Sequence, residues 1–324
     1  MSNFQVYKKT LSFSFLEFLS DLFALIVFVG SCILGFIIMN KSTNMALIGL
    51  AVGLVIGIIL SVLINIFIKN RIKAAQIAMM TIGVVDGKLP EKTVNEGFNQ
   101  VKGRFGKITL FFTITSLIKS VFRQIGRSLN KLGTAVGGNV GNGITSAIDS
   151  AIQVLIGYLC DCCLGWILYR KDENSFKAGC EGAVIFFKHG KTLIRNIGRI
   201  FGMGLLSLVV VGGAFFGIAY LIFTQFPQIF ESLSKEILEM STREALDIPQ
   251  ALTDPKILML IIAGVLGVIL WSMVHSVLIR PFILVGVLRN FMAAGLKEKP
   301  TEADFAELEK LSPRFTKMKN KANA

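Results

Sequence analysis

Four long stretches without a formal charge are the feature that most constrains how this chain can fold. They run from 18 to 24 residues and cover 22–39, 45–68, 200–223 and 257–278. A helix rises about 1.5 Å per residue, so about 20 residues cross a hydrocarbon core of roughly 30 Å. We therefore expect each stretch to span a membrane as an α-helix.

The composition agrees with this expectation. Of the 324 residues, 53% are hydrophobic and 17% are charged, and the mean hydropathy is +0.65. This apolar content exceeds what a soluble domain normally buries. The first stretch lacks a small-residue cleavage site and is followed at once by a second span, so we expect a retained helix rather than a signal peptide.

The basic residues predict which side each connection occupies. The segment 69–107 carries eight Lys and Arg residues, and the segment 170–199 carries seven. By the positive-inside rule both segments are cytoplasmic, so an even number of crossings must separate them. We predict a hairpin of two spans, 105–129 and 144–169, which is joined by "GTAVGGNVGNG" outside the cell.

Six crossings follow, with both termini in the cytoplasm. The expected fold class is all-α: a polytopic helical membrane protein with about six transmembrane helices plus cytoplasmic amphipathic helices. The transmembrane domain is expected over 1–296 and a basic cytoplasmic tail over 297–324. In that tail Thr301 and Asp304 resemble a capping box, which predicts a short polar helix through Leu311.

Four cations recur at every fourth position around the first helix of the hairpin: Lys119, Arg123, Arg127 and Lys131. From Arg123 onward they can snorkel towards outer phosphates. Lys119 lies about 21 Å along the helix, where a charge is costly, so we expect a buried charge pair with Asp149. The alternative, a helix lying flat on the cytoplasmic surface, is less favoured because 144–169 would then cross alone.

The second span contains a glycine stripe at Gly49, Gly53 and Gly57. Glycines at this spacing let another helix approach closely in lipid. The stripe therefore predicts tight helix packing. The pattern leaves open whether the partner helix belongs to the same chain or to a second copy in a homo-oligomer.

The sequence offers little for catalysis or metal binding. It contains two histidines and no nucleophile elbow, phosphate-binding loop or zinc-protease motif, so an enzyme is not expected. A zinc site would need Cys160 and Cys163 together with Cys180 or His189, but thiols inside a span more often pack as small apolar groups. No metal and no cofactor are expected.

Two cytoplasmic segments show helical spacing of apolar residues among cations. One begins at Leu89, with Val94, Phe98, Val101 and Phe105, and the other lies within 175–199. Both are typical of amphipathic helices that lie on anionic head groups or fold under the bundle. The formal net charge of +13 is explained by these inner segments and the tail, so anionic lipids are the expected partners and nucleic acid is not.

The order of these features resembles a known family. A helix ending in "CDCCLGW", the amphipathic "SFKAGCEGAVIFFKHGKTLIRNIGRI", the glycine-bearing "FGMGLLSLVVVGGAFFG" and a last span running into "RPFILVGVLRN" look like the C-terminal half of the choline transporter-like family. The preceding "RFGKITLFFTITSLIKSVF" is similar to an earlier helix of that family. The resemblance covers about 77–292, and it implies transport of choline or a related ethanolamine compound.

A quaternary ammonium is held by aromatic faces and a nearby carboxylate. The residues that could supply such a site are Asp161, Tyr158 and Trp166 on one helix and Trp271 on another. His275 lies one turn from Trp271 and completes a polar face on the last span. That face either lines a pathway or hydrogen-bonds to a neighbouring helix, and the second reading is favoured.

Two hypotheses therefore stand. The first is a transporter that moves a small organic cation such as choline or ethanolamine between its helices. The second is a non-transporting membrane protein that self-assembles through the glycine stripe and binds anionic lipid.

Overall fold

The structure is a computed structural model that describes residues 1–43, 46–105, 108–137, 142–194, 197–244, 249 and 252–323. Within these ranges the backbone forms fifteen α-helices and no strand. In chain order they are α1 (Asn3–Lys9), α2 (Leu11–Thr43), α3 (Ala46–Ile64), α4 (Asn70–Val85), α5 (Thr93–Phe105), α6 (Ile108–Gly137), α7 (Asn142–Tyr169), α8 (Ser175–Ile194), α9 (Ile197–Ser207), α10 (Gly213–Thr224), α11 (Pro227–Glu244), α12 (Pro255–Val274), α13 (Arg280–Lys297), α14 (Glu302–Leu311) and α15 (Pro313–Asn323). Short π-helical turns at Asn65–Lys69, Leu208–Gly212 and His275–Ile279 interrupt the longer helices.

Four helical stretches in the described ranges are long and apolar enough to cross a membrane: Leu11–Met39, Ile48–Val85, Gly202–Thr224 and Pro255–Lys297. The expected all-α membrane fold is confirmed. These stretches contain or largely overlap the four uncharged segments of the sequence.

The two further spans of the expected hairpin stay predictions. Thr93–Phe105 and Leu110–Gln124 qualify as a span only when taken together, and they are bent by 84°. The described apolar part of α7, Ile156–Tyr169, is shorter than a bilayer requires. Part of the hairpin, including the side chain of Asp149, lies outside the described residues, and Lys119 is exposed.

The chain divides into two compact units. The first unit comprises Met1–Glu17, Phe67–Phe201 and Arg280–Ala324, and the second comprises Phe18–Ile66 and Gly202–Ile279. Large side chains form the core of the first unit and are almost fully buried, among them Trp166, Phe13, Phe122, Phe291 and Phe315. A core of this kind is typical of a folded domain that excludes water.

The second unit has the opposite surface. Its helices expose large apolar side chains, such as Val209 at 66% and Leu221 at 65% of their area. An exposed apolar surface of this extent marks a membrane-embedded region, because a soluble monomer rarely leaves such patches open to water.

Helix α3 packs closely on α2 through its glycine stripe. A Cβ atom at Gly49 or Gly53 would collide with backbone atoms of α2, namely the carbonyl oxygens of Gly35 and Ser31. At Gly57 it would lie 3.0 Å from the Phe28 ring. The helix that covers the stripe thus belongs to the same chain, and a second copy is not needed to cover it.

The basic segments that the sequence predicts to be cytoplasmic fold into the first unit. Helix α5 begins at Thr93 rather than at the predicted Leu89, and it buries Val101 and Phe105. The Thr301 and Asp304 capping box is confirmed, with Thr301 N donating to Asp304 Oδ2 at 2.8 Å, and α14 ends at Leu311 as predicted. The tail continues into α15, which buries Phe315 and Met318.

Candidate functional site

Asp161 on α7 is the centre of a buried charge cluster in the first unit. Only 6% of the residue is exposed. Lys73 Nζ on α4 lies 2.7 Å from its Oδ1, and Arg280 Nη2 on α13 donates to its Oδ2 at 2.8 Å. A buried carboxylate is costly unless it is paired and hydrogen-bonded, and both of its oxygens are paired here.

Tyr158 lies one helical turn before Asp161 and completes the surroundings of Arg280. The guanidinium carbon of Arg280 is 5.6 Å from the centre of the Tyr158 ring, within the range of a cation–π contact. Gly157 also borders Arg280, since a Cβ at Gly157 would lie 3.5 Å from Nη2, in ordinary van der Waals contact. Arg280 is therefore held between a carboxylate and an aromatic face.

Glu17 near the start of α2 supplies a second negative charge to the cluster. The residue is buried, and its charge acts favourably on both Lys73 and Arg280. Two cations thus meet two carboxylates, which makes the cluster close to neutral. The cluster thus joins the start of α2 with α4, α7 and α13 in the first unit.

Trp166 on α7 is likewise engaged by other residues of the chain. Its indole Nε1 donates to Glu181 Oε2 on α8 at 2.9 Å. The Arg170 guanidinium lies 5.8 Å from the Trp166 ring centre, and its Nη1 is 3.5 Å from Glu181 Oε2. This arrangement fixes α8 against α7.

The predicted solute-binding set is therefore divided. Asp161, Tyr158 and Trp166 lie in the first unit, where arginine and lysine side chains already occupy the carboxylate and both aromatic faces. Their role in solute binding stays a prediction. The cationic partners Lys73 and Arg280 were missed, because the sequence presents Lys73 only as one of many basic residues in a connection.

Trp271 and His275 lie in the second unit, at the end of α12. Trp271 Nε1 donates to Ser207 Oγ on α9 at 3.1 Å, and Ser207 Oγ donates in turn to the Gly204 carbonyl at 2.7 Å. The rings of Trp271 and His275 are 5.3 Å apart. For Trp271 this is the contact with a neighbouring helix that the sequence favoured over a pathway-lining role.

A cleft of about 1110 Å³ lies in the second unit, where α10 ends, α11 begins and α12 starts. It is lined by Tyr220, Thr224, Pro227, Phe230, Glu231, Thr253, Asp254, Pro255, Lys256, Ile257 and Met259. Two aromatic rings, Tyr220 and Phe230, thus share the cleft with the carboxylates of Glu231 and Asp254. Among the lining residues that the structure describes, Lys256 is the single cation, so the charge of this described lining is negative.

Local structure fixes the carboxylate of Asp254 and the backbone that carries Glu231. Asp254 is the N-cap of α12, and its Oδ1 accepts hydrogen bonds from the backbone N of Lys256 at 2.8 Å and of Ile257 at 3.4 Å. Pro255 occupies the first helical position, where its missing N–H costs nothing. Glu231 follows Phe230, whose side chain is buried against Leu258 and Met259. The backbone of Glu231 is therefore anchored while its side chain remains exposed.

The sequence contains a weak signal for this cleft, because an acidic segment that includes Glu231 and Asp254 lies between two apolar stretches. The signal that was missed is an aromatic residue next to an acidic one near the start of a helix, as in Phe230 and Glu231 of α11. Which of these residues meet depends on how α11 packs against α12, which hydropathy does not predict.

The cysteines do not form a metal site in the described part of the chain. Cys160, Cys162, Cys163 and Cys180 are all buried and unbridged. Across the described ranges, no group of three or more His, Cys, Asp or Glu side chains could hold a metal ion.

Comparisons of the chain with models of protein families, with curated proteins and with solved structures find no match. The cleft and the charge cluster are therefore interpreted from their own chemistry.

Proposed function

We propose that this integral membrane protein binds a small organic ammonium ion in the cleft of the second unit and moves it across the membrane. The observation that carries the proposal is the meeting of Glu231 and Asp254 with Tyr220 and Phe230 in one open cleft. This combination supplies both attractions that a quaternary or primary ammonium ion can use, charge pairing and cation–π contact.

The chemistry of the cleft favours a cation over an anion. A quaternary ammonium cannot donate a hydrogen bond, so aromatic faces and carboxylates replace hydrogen-bond acceptors. The charge of Lys256 offsets that of one carboxylate. The remaining negative charge attracts a monovalent cation. The volume of about 1110 Å³ lies near the upper end of small-molecule pockets, which leaves room for a solute with part of its hydration shell.

The charge cluster around Asp161 supports placing the solute elsewhere. Arg280 and Lys73 already neutralise the carboxylate, and Arg280 covers Tyr158. A solute cation at Asp161 would have to displace a partly buried cation of the chain from its counter-charge, which is unfavourable. The cleft requires no such displacement.

We propose four crossings with both termini in the cytoplasm. The basic segments 69–107 and 170–199 must lie on the same side of the membrane, so the number of crossings between them must be even. Zero crossings meet this requirement as well as two do. The described part of α7 supports zero, because Ile156–Tyr169 is mostly buried against other helices of the first unit. Under this topology α10 ends outside, and the cleft faces the side from which a solute would arrive.

The resemblance to the choline transporter-like family leads towards the same class of solute. It rests on sequence pattern alone, and choline and ethanolamine are therefore the first solutes to test.

Uptake into proteoliposomes tests the transport step. We expect wild-type protein to accumulate labelled choline or ethanolamine above the level of empty liposomes, and Glu231→Gln to reduce this uptake at least several-fold. The matched control is Glu236→Gln, which removes the same charge from the same helix outside the cleft. Uptake equal to that of empty liposomes across a panel of organic cations would overturn transport.

A further inference from the structure

Helix α11 has an apolar face that extends beyond its contact with the rest of the second unit. Phe230 is buried in an apolar cluster with residues at the start of α12, and Ile237 packs against the same cluster. Ile229 and Leu233 lie next to these residues on α11 but remain exposed, over 59% and 36% of their area. We call Ile229 and Leu233 the open edge of α11. The start of α12 therefore covers one edge of the apolar face and leaves the open edge uncovered.

The charged side chains of α11 lie on another side of the helix. An exposed row recurs at every fourth position, formed by Glu231, Lys235 and Glu239. At 3.6 residues per turn, this row lies about 140° around the helix from the open edge, and Glu236 lies at the border between the two. Leu238 is exposed beside the charged row, as single apolar residues on a surface often are. A helix divided in this way can lie in the plane of a bilayer surface.

The open edge follows directly on the exposed apolar surface of the preceding span. The stretch Gly202–Thr224 is long and apolar enough to cross a membrane, and its last turn exposes Leu221 and Ile222 over 65% and 52% of their area. Phe226, in the connection, is exposed over 52%, and α11 begins at Pro227. Because α11 starts within three residues of the end of a span, its first turns lie at the level of the lipid head groups.

The size of this apolar surface favours lipid over a second copy of the chain. A stable protein interface buries roughly 800 Å² on each partner. Phe226, Ile229 and Leu233 cannot supply such an area together, since even an aromatic side chain buries only about 150–250 Å². A bilayer sets no such minimum, because the same apolar medium already surrounds the neighbouring span.

We propose that α11 lies in the surface of the bilayer, with Phe226, Ile229 and Leu233 inserted between the lipid head groups and the upper acyl chains. The charged row then faces water. Glu231, which belongs to this row and lines the cleft, stays on the water side of the helix. The bilayer thus helps to hold α11 beside the end of α10 and the start of α12. This docking requires lipid only, and it does not depend on whether the cleft binds a solute.

Power saturation of a nitroxide label measures whether a position on α11 meets lipid or water. Oxygen concentrates in the acyl region, whereas a nickel chelate stays in water. In the full chain in phosphatidylcholine vesicles, we expect labels at Ile229→Cys and Leu233→Cys to be relaxed more by oxygen. The matched controls on the charged row, Lys235→Cys and Glu239→Cys, should be relaxed several-fold more by the nickel chelate than the open edge is. The unmodified chain gives the background from the native cysteines.

Two results of this measurement would overturn the proposal. Equal relaxation of both sides of α11 by the nickel chelate would mean that the helix lies away from the bilayer. Protection of the open edge from both reagents would mean that protein covers it instead of lipid.

An added tryptophan keeps the test decisive if a nitroxide label disturbs the fold. We expect phospholipid that is brominated near the head group to quench the added fluorescence of Ile229→Trp, because an indole at this position would lie in the bilayer surface. The same lipid should leave the added fluorescence of Lys235→Trp largely unquenched. Equal quenching of the two variants would contradict the orientation of α11.

Discussion

Arg280 donates to Asp161 at 2.8 Å although the two residues are 119 positions apart in the chain. The contact fixes α13 to α7, and Lys73 fixes α4 to the same carboxylate at 2.7 Å. Three helices of the first unit are thus joined by one side chain. A buried pair of this kind contributes modestly to stability while it is intact, but removal of one partner is strongly destabilising.

Replacing Asp161 with asparagine should therefore destabilise the protein. The variant leaves Lys73 and Arg280 near each other without their shared counter-charge, and we expect the free energy of unfolding to fall by roughly 3 kcal/mol. Denaturant unfolding in detergent measures this. Asp172→Asn is the control, because Asp172 is exposed on a loop and its loss should change little.

A double-mutant cycle separates the charge pair from other effects of Asp161. We expect Asp161→Asn with Arg280→Gln to lose less than the sum of the single losses, by at least about 0.5 kcal/mol. Strictly additive losses would show that the contact does not couple the two residues.

The glycine stripe gives a second prediction. Gly53→Ala places a Cβ against the Ser31 carbonyl and the Cys32 Cα of α2, so we expect the thermal midpoint to fall. Gly30→Ala on α2 is the matched control, since its Cβ meets nothing within 4 Å, and its higher helix propensity should raise stability by up to about 1 kcal/mol. Equal midpoints for the two variants would contradict the close packing of α2 on α3.

The third prediction concerns how the stability of the tail helix α14 depends on pH. A hydrogen bond from Lys188, which lies 2.6 Å from Glu298, lowers the pKa of Glu298, and the same contact raises the pKa of Lys188. A carboxyl whose pKa is lowered in the folded state stabilises it above its unfolded pKa, and this contribution is lost as pH falls through the folded value. We therefore expect hydrogen exchange of α14 to accelerate below about pH 4.

The contribution of Lys188 to the free energy of unfolding changes with pH in the opposite direction. It is fully present below the unfolded pKa of Lys188 and is lost as pH rises through its raised folded pKa, so it does not alter the acid response. Glu298→Gln should remove the part of the acid response of α14 that comes from the Glu298–Lys188 pair. The part that comes from Asp304, whose pKa is lowered by hydrogen bonds with Thr301, should remain, and Glu307→Gln, at an exposed position on α14, should preserve both. An unchanged acid response in Glu298→Gln would contradict the role of this pair.

Topology gives a fourth prediction. We expect a cysteine introduced at Gly138, between α6 and α7, to react with an impermeant maleimide only after intact cells are permeabilised. A cysteine at Ser232 on α11 should react without permeabilisation, with the unmodified chain as the background. Reaction of the Gly138 variant in intact cells would instead support the six-crossing hairpin.

Much of the fold was predictable because membrane insertion depends on local hydropathy. The four long spans follow from the length of uncharged stretches, and the capping box at Thr301 follows from spacing within one turn. The register of α3 on α2 was partly predictable too, since Gly49, Gly53 and Gly57 mark a face that can approach another helix closely.

The charge cluster and the cleft could not be predicted in the same way. Lys73 and Arg280 meet Asp161 only through tertiary packing, so the sequence shows them as ordinary basic residues near the ends of spans. The cleft depends on how α10, α11 and α12 pack against one another, which local propensity does not determine.

Direct binding of choline to the protein in nanodiscs tests the central claim. Titration calorimetry at low salt should show binding to wild type and to Glu236→Gln, and at least ten-fold weaker binding to Glu231→Gln. Tyr220→Leu should weaken binding as well, because it removes an aromatic face that contributes about 0.5–2 kcal/mol. If Glu231→Gln, Tyr220→Leu and Glu236→Gln all bind choline as wild type does, or if no organic cation binds to wild type, the cleft is not the cation site and the account is wrong.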